Sequence, residues 1–362
     1  NDNIEISFAH QSFKWTNNAL GNAGVTVIIV GLRNISSQPK YIYVDNIRQE
    51  AKNINAYLAD AKDFYIKDMP KPISKLQPMM KGNAAIDDGN FSFKTEEEAT
   101  HFKNLYPDQA YLVREFIGSY ELINNVKRFC LWLKDAAESD IVNNLEIKNR
   151  VENVRKFRLK SPKKQTNKYA EKPTLFMEDR QPNQDYLMVP VVSSERRDYI
   201  PIGFLSKEII ANYSSFILPN ASSLEFGILH SKMHMVWVDA VGGKLETRYR
   251  YSAKLCYNTF PFPDISEKQK LTINEYVFAI LDERAKYTEK TMAWLYNPET
   301  MPKELKQAHQ NLDRAIEEIY RMGNPFISDA ERLEHLFKRY DEMTKKDTLF
   351  AKQKKTRKKK KI

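Results

Sequence analysis

Six residues, Asn258-Thr259-Phe260-Pro261-Phe262-Pro263, divide this chain into two regimes. Prolines at alternate positions remove backbone donors and hold φ at roughly −65°, so neither a helix nor a central strand can run through the segment. Beyond it the apolar spacing is helical throughout, over 266–287, 302–321 and 328–343. Pro302 takes a first-turn position, where its missing N–H costs nothing, and Ser328 with Glu331 reads as a capping box. Before the break, strand-like runs alternate with helical ones.

Residues 4–8 alternate as a short strand, and 17–22 are turn-rich. The β-branched run 25–30 fits a strand buried on both faces, the last hairpin of a domain whose bulk is not in the sequence. The chain begins with Asn1 rather than Met, which leads us to expect a piece of something longer. A short helix is expected over 46–62, a long Pro- and Gly-containing connection over 64–94, and a helix over 96–106 with acids in its first turn. Residues 129–133 read as a buried strand. Over 141–159, Ile147, Val151, Val154 and Phe157 fall on one helical face, with Arg and Lys outside; the helix must stop before Ser161-Pro162. Strands are expected at 187–192 and 199–202, a helix over 224–241 stopped by Gly242-Gly243, and strand-like backbone over 249–257.

The net charge of +10 is unevenly placed. Residues 352–361 hold eight Lys or Arg and no acid, while 146–172 hold ten against Glu146, Glu152 and Glu171. The remainder is acidic, so positive charge is confined to two places where a polyanion could sit. The apolar run at 25–30 is far short of the ~20 residues that cross a bilayer, and no membrane partner is expected. Two cysteines, Cys130 and Cys256, make no disulfide framework and fit a reducing cytoplasm.

Catalytic equipment is hard to find. His230 and His234 have the spacing of two zinc ligands, but Ser231 stands where a metalloprotease has its Glu, and packing is the better reading. Asn324-Pro325-Phe326 reads as a turn between helices. No catalytic, cofactor-binding or metal residue is assigned. Recognition equipment is plainer. Lys163, Lys164 and Asn167 lie in a basic, amide-rich loop after the basic helix. Lys244, Glu246, Arg248 and Arg250 alternate along 244–251 and, in one extended strand, would share a face.

Taken in order, a set of motifs resembles the C-terminal part of the MmeI-like (type IIL) restriction-and-modification enzymes, or a related adenine-specific DNA methyltransferase. They begin with Ser12-Phe13-Lys14-Trp15-Thr16-Asn17-Asn18-Ala19, Asn53-Ile54-Asn55-Ala56-Tyr57-Leu58 and Phe129-Cys130-Leu131-Trp132-Leu133. Ser193-Ser194-Glu195-Arg196-Arg197-Asp198-Tyr199-Ile200-Pro201 follows, then Phe226-Gly227-Ile228-Leu229, Ser231-Lys232-Met233-His234 and Trp237. The last are Gly243-Lys244-Leu245-Glu246-Thr247-Arg248-Tyr249-Arg250-Tyr251-Ser252, Tyr257-Asn258-Thr259-Phe260-Pro261, Tyr296-Asn297-Pro298, Met301-Pro302, Ala308-His309 and Leu312-Asp313.

The resemblance implies an α+β chain in four parts. Residues 1–45 would be the terminal strands of an α/β methyltransferase sheet, 46–263 a mixed α+β target recognition domain, 264–345 an all-helical C-terminal domain, and 346–362 a basic disordered tail. It further implies double-stranded DNA as partner and S-adenosylmethionine as cofactor, bound by a domain preceding these residues. The reaction implied is methylation of the exocyclic amine of a flipped adenine, in some members beside a nuclease. Phe13 and Trp15 would line the base pocket. Lys163, Lys164 and Asn167, with Lys232, His234, Arg248 and Arg250, would face the DNA. The alternative is a non-catalytic scaffold that binds a protein partner through 264–345.

Overall fold

A computed structural model describes residues 3–14, 26–44, 47–63, 65–74 and 76–359. The chain opens with β1 (Ile4–Lys14), β2 (Thr26–Asn34), β3 (Lys40–Val44) and β4 (Ile47–Ala51), in the order β2-β1-β3-β4. β1 runs antiparallel to β2 and parallel to β3. Glu5 clamps three strands together, its two carboxylate oxygens each 2.8 Å from Arg33 Nε and Lys40 Nζ. Hydrogen bonds from Lys40 and then Arg33 hold its carboxyl down at about 2. β2 is not buried on both faces as expected. It is the outer strand, and Ile28 is 55% exposed. The helix expected at 46–62 is absent as well. β4 is followed by a turn knotted on the fully buried Asn55, whose side-chain oxygen accepts from the amides of Tyr57 and Ala59. An Asn side chain that competes for local backbone donors favours such a turn over a helix.

The middle of the chain builds a second lobe. It contains β5 (Met80–Lys81), β6 (Ser92–Phe93), α1 (Glu96–Leu105), β7 (Val113–Ile117), α2 (Ser119–Asn124), β8 (Phe129–Leu131), α3 (Glu138–Val142), α4 (Leu145–Leu159) and α5 (Lys164–Lys168). Thr95 caps α1 by accepting from the Glu98 amide, and Asn144 caps α4 by accepting from that of Ile147. Ile147 and Val154 enter a core with Phe93, Leu131, Trp132 and Phe176. Phe157, expected inward, is 37% exposed, and the residue after it is buried in its place. Arg158 donates to four main-chain carbonyls: Ile86 (2.9 Å), Ala85 (2.7 Å), Lys172 (2.9 Å) and Leu175 (2.8 Å). A five-donor fork is the side chain best able to satisfy so many carbonyls at one point.

Five strands follow: β9 (Tyr186–Pro190), β10 (Val192–Ser193), β11 (Gly203–Leu205), β12 (Ile210–Ala211) and β13 (Ser215–Pro219). All but β10 complete two four-stranded sheets, β11-β9-β13-β5 and β12-β7-β8-β6. Residues 199–202 are irregular rather than a strand. The single helix expected over 224–241 is two, α6 (Ser223–Leu229) and α7 (Lys232–Val241). Ser231 breaks it, its hydroxyl accepting from the His234 amide as the α7 cap. β14 (Gly243–Leu245) and β15 (Arg248–Arg250) form a hairpin beside β10. A π-helical turn, Ala253–Tyr257, then stands where strand was expected.

The segment 258–263 is no exposed linker: Thr259 and Phe260 are fully buried. Beyond it lie α8 (Glu267–Ala285), α9 (Met292–Leu295), α10 (Lys303–Tyr320) and α11 (Asp329–Lys359). The backbone of 346–359 is therefore helical, not the expected disordered tail. No Gly or Pro interrupts 329–359, and Lys and Arg at a helix C-terminus complement its dipole. Among the described residues no helix is long and apolar enough to cross a membrane.

The helical region shares its core with what precedes it. Trp237 of α7 packs 5.6 Å from Phe337 and 5.8 Å from Tyr340 of α11. A Cβ on Gly227 would lie 2.8 Å from Ile273, so α6 and α8 approach closely only because that residue is glycine. A polar seam crosses the same contact. Arg284 donates to the Ile202 carbonyl (2.9 Å), the Tyr296 hydroxyl (2.6 Å) and His230 Nδ1 (3.1 Å). Tyr296 in turn meets His309 Nε2 at 2.9 Å. Burial, then the Arg284 charge, keeps both histidines well below their ordinary pKa. Asp313 accepts from the Tyr199 hydroxyl and the Lys232 amide, each at 2.6 Å.

Replacing Arg158 with Met should cost about 3–5 kcal/mol of unfolding free energy by chemical denaturation, since four carbonyls lose their donor in a dry site. Burial raises the Asp313 carboxyl to about 6 from 3.8. Its contribution to stability is full below 3.8 and is lost as pH rises through about 6. Between those pH values, Asp313→Asn should gain on the wild type by about 2–3 kcal/mol, read as the difference in their unfolding free energies.

Candidate nucleic-acid interface

The basic segment 146–172 is sorted by α4 into structural and free charges. Arg158 is spent on carbonyls, and Arg150 is paired with Glu146 (2.9 Å) while lying 4.9 Å over the Phe93 ring. Arg155 sits 3.7 Å from Glu152. Lys148, Lys156, Lys160, Lys163, Lys164 and Lys168 remain exposed, with no ion pair to any described residue. Asn149, Asn153, Lys156 and Lys160 are spaced three or four apart and all exposed, so they form one stripe along α4. The two asparagines were not singled out from sequence, although their spacing carries the signal.

The loop expected after α4 is the short helix α5. Lys163 and Lys164 stand exposed at its start. Asn167 is exposed too, but its amide donates to the Leu159 carbonyl, one of the open carbonyls at the end of α4. Asn167 therefore fixes the angle between the two helices, and its amide is not free to read a base.

The alternating set at 244–251 is not one strand. The chain reverses at Glu246, whose φ is +58°, and Leu245 pairs with Arg248 while Gly243 pairs with Arg250. Directly opposed residues share a face. Arg248 and Arg250 are thus together, and Lys244 is on the other face opposite Tyr249, its ammonium 4.0 Å from that ring and paired with Asp239. Arg248 pairs with Glu246 at 2.7 Å. Nothing in Leu245-Glu246-Thr247-Arg248 has the Asn-Gly chemistry that marks a two-residue turn, so the hairpin was not readable.

Two of the expected DNA-facing residues have partners within the protein. His234 is 1% exposed, its Nε2 2.9 Å from the Tyr251 hydroxyl, and burial lowers its pKa to about 3. A neutral core imidazole cannot face DNA. The Lys232 ammonium lies 3.0 Å from Asp329 of α11, so it ties α7 to the last helix. Phe13, at the end of β1 opposite Val27, is 37% exposed and available to a base, while Trp15 lies outside the described residues. Among the described residues no cluster of three or more His, Cys, Asp or Glu could hold a metal.

Residues 60–264 match the family described as MmeI, target recognition domain, 265–348 the MmeI C-terminal domain, and 1–44 the MmeI DNA-methyltransferase domain. A curated relative, DNA methyltransferase A of Bacillus subtilis (strain 168), is 44% identical over 344 residues, which is 95% of this chain and 39% of that protein. A solved structure of the type IIL restriction-modification enzyme MmeI in complex with DNA is 43% identical with a TM-score of 0.85, covering 95% of this chain and 46% of that one. The chain thus spans less than half the length of either relative. With a recognition-domain match over more than half of its residues, and an α+β fold ending in helices, the chain belongs to the MmeI-like type IIL restriction-modification family.

Proposed function

We propose that this chain is the DNA-recognition part of a site-specific adenine methyltransferase of a restriction-modification system. The carrying observation is the α4–α5 face, where six exposed lysines have no acid to neutralise them, within a match to a target recognition domain. Lysines of this kind neutralise phosphates, and Asn149 and Asn153 between them offer the amide groups that pair with adenine edges. Arg248 and Arg250, on one face of the β14–β15 hairpin, supply a second group of donors. Phe13 is the candidate for stacking on a base turned out of the duplex. The buried, unpaired thiols Cys130 and Cys256 fit a reducing cytoplasm.

When bound, S-adenosylmethionine would supply the methyl group. The first sheet offers it exposed Ile28, Ile29 and Leu32 and the Glu5–Arg33–Lys40 ion pairs. That donor set does not fit an adenosine-bearing sulfonium cofactor. Cofactor and catalytic loop are assigned to the part of the relatives that this chain does not span. The scaffold alternative needs the apolar faces of the helical region to be free. Ile273, Val277, Leu312, Ile316, Leu336 and Phe337 are instead in the main core, which weakens that support, while Leu271 and Phe278 of α8 stay exposed.

Changing Lys163 and Lys164 together to Glu should weaken binding to a mixed-sequence duplex and flatten its salt dependence by roughly 0.9 in slope for each phosphate no longer neutralised. Unchanged affinity and slope would sink the assignment of this face. Extending the chain to the full length of its relatives should permit methyl transfer from S-adenosylmethionine to adenine in duplex DNA. The reading of the parent as a methyltransferase fails if the folded, extended protein transfers none.

A further inference from the structure

β5 carries Lys81 to a place where positive charge is gathered with little to neutralise it. Lys81 pairs with Phe216 across the sheet, and its ammonium lies 4.6 Å from the centre of the Phe216 ring. The same ring packs 6.0 Å from Tyr251, the neighbour of Arg250. From the other side, the Arg180 guanidinium donates to the carbonyl of Gly82, next to Lys81, at 3.2 Å. The backbone beneath these groups is fixed. A Cβ on Gly82 would stand 2.2 Å from the Asn212 carbonyl oxygen, and the buried Asn83 bonds both the Arg180 amide (2.6 Å) and the Ala211 carbonyl (2.9 Å).

The balance of charge is lopsided. Arg180 has one acid, Glu178, at 2.7 Å. Lys81 donates to the Tyr213 carbonyl at 3.2 Å, and the exposed Arg250 side chain makes no hydrogen bond or ion pair with any described residue. Burial first, then Arg250 and Arg180, depress the Lys81 ammonium below its ordinary pKa. Like charges held together against one carboxylate oppose folding, and an anion with several oxygens would offset that cost.

We propose that Lys81, Arg180 and Arg250 grip the phosphodiester backbone of duplex DNA, as a second anchoring point besides the α4–α5 face. The inference rests on the DNA-recognition reading above. Half-buried Lys81 is recessed, which suits a phosphate oxygen brought to it better than a base edge deep in a groove. The two anchors share one segment: Lys81 is at one end, and the carbonyls of Ala85 and Ile86, held by Arg158, are at the other. Five residues of chain reach at most ~18 Å, which bounds the separation of the two ends of that segment.

The test uses the full chain and a salt series with two unrelated duplex sequences, comparing Arg250→Gln and Lys81→Gln/Arg250→Gln with Lys163→Gln/Lys164→Gln. Arg250→Gln should weaken binding to both duplexes alike and lower the salt slope by about 0.9, and the Lys81 change should lower it by a similar step. Thermal unfolding of the double variant should occur at or above the wild-type temperature, because a repelled cation is gone. If Lys81→Gln/Arg250→Gln binds with wild-type affinity and slope while Lys163→Gln/Lys164→Gln weakens, the site is overturned and the recognition reading stands. A changed preference between duplexes at constant slope also overturns it, in favour of base reading. If the wild type binds neither duplex at low salt, the recognition reading falls and this proposal with it.

Discussion

One guanidinium, that of Arg284, holds the recognition region and the helical region in register, and no carboxylate lies among its bonded partners. A charge taken out of water is tolerable only if its donors are satisfied. Arg284 meets that demand with a carbonyl from the irregular 199–202 segment, the Tyr296 hydroxyl and the His230 imidazole. Each partner must then be oriented and neutral. Tyr296 accepts from Arg284, so its own proton points at His309 Nε2, which leaves the His309 Nδ1–H buried without an acceptor. The seam fixes where α6 ends, where α8 ends and how α10 crosses them. Regions that look separable in sequence therefore share one core.

Elements whose cause is local were legible. The helices after residue 263, the cap at Ser328, and the stop of α7 at Gly242 all follow from neighbouring side chains. Elements whose cause is distant were not. The break between α6 and α7 has a Ser to cap it, but only the packing of His230 under Arg284 requires a break there. Asn55 turned an expected helix into a knot, and residues 199–202 are held by the seam rather than by a strand partner.

The candidate site divides along the same line. Lys163 and Lys164 were readable because free surface lysines need no partner, and a run of them without acids is visible in one dimension. The burial of His234 and the ion pair of Lys232 were not readable because their partners, Tyr251 and Asp329, lie 17 and 97 positions away. Arg158 was counted as surface charge and is among the most buried side chains. A guanidinium bound to four carbonyls has no signature in composition or spacing.

Arg158 also separates two things that ionic strength would otherwise change together. Counterions compete for exposed lysines, but they do not enter a dry site where a cation is bonded only to carbonyl oxygens. Salt can therefore screen the exposed lysines of the α4–α5 face while the bracket that carries the face keeps its shape. A charged surface can thus be screened by salt without loosening its own mounting.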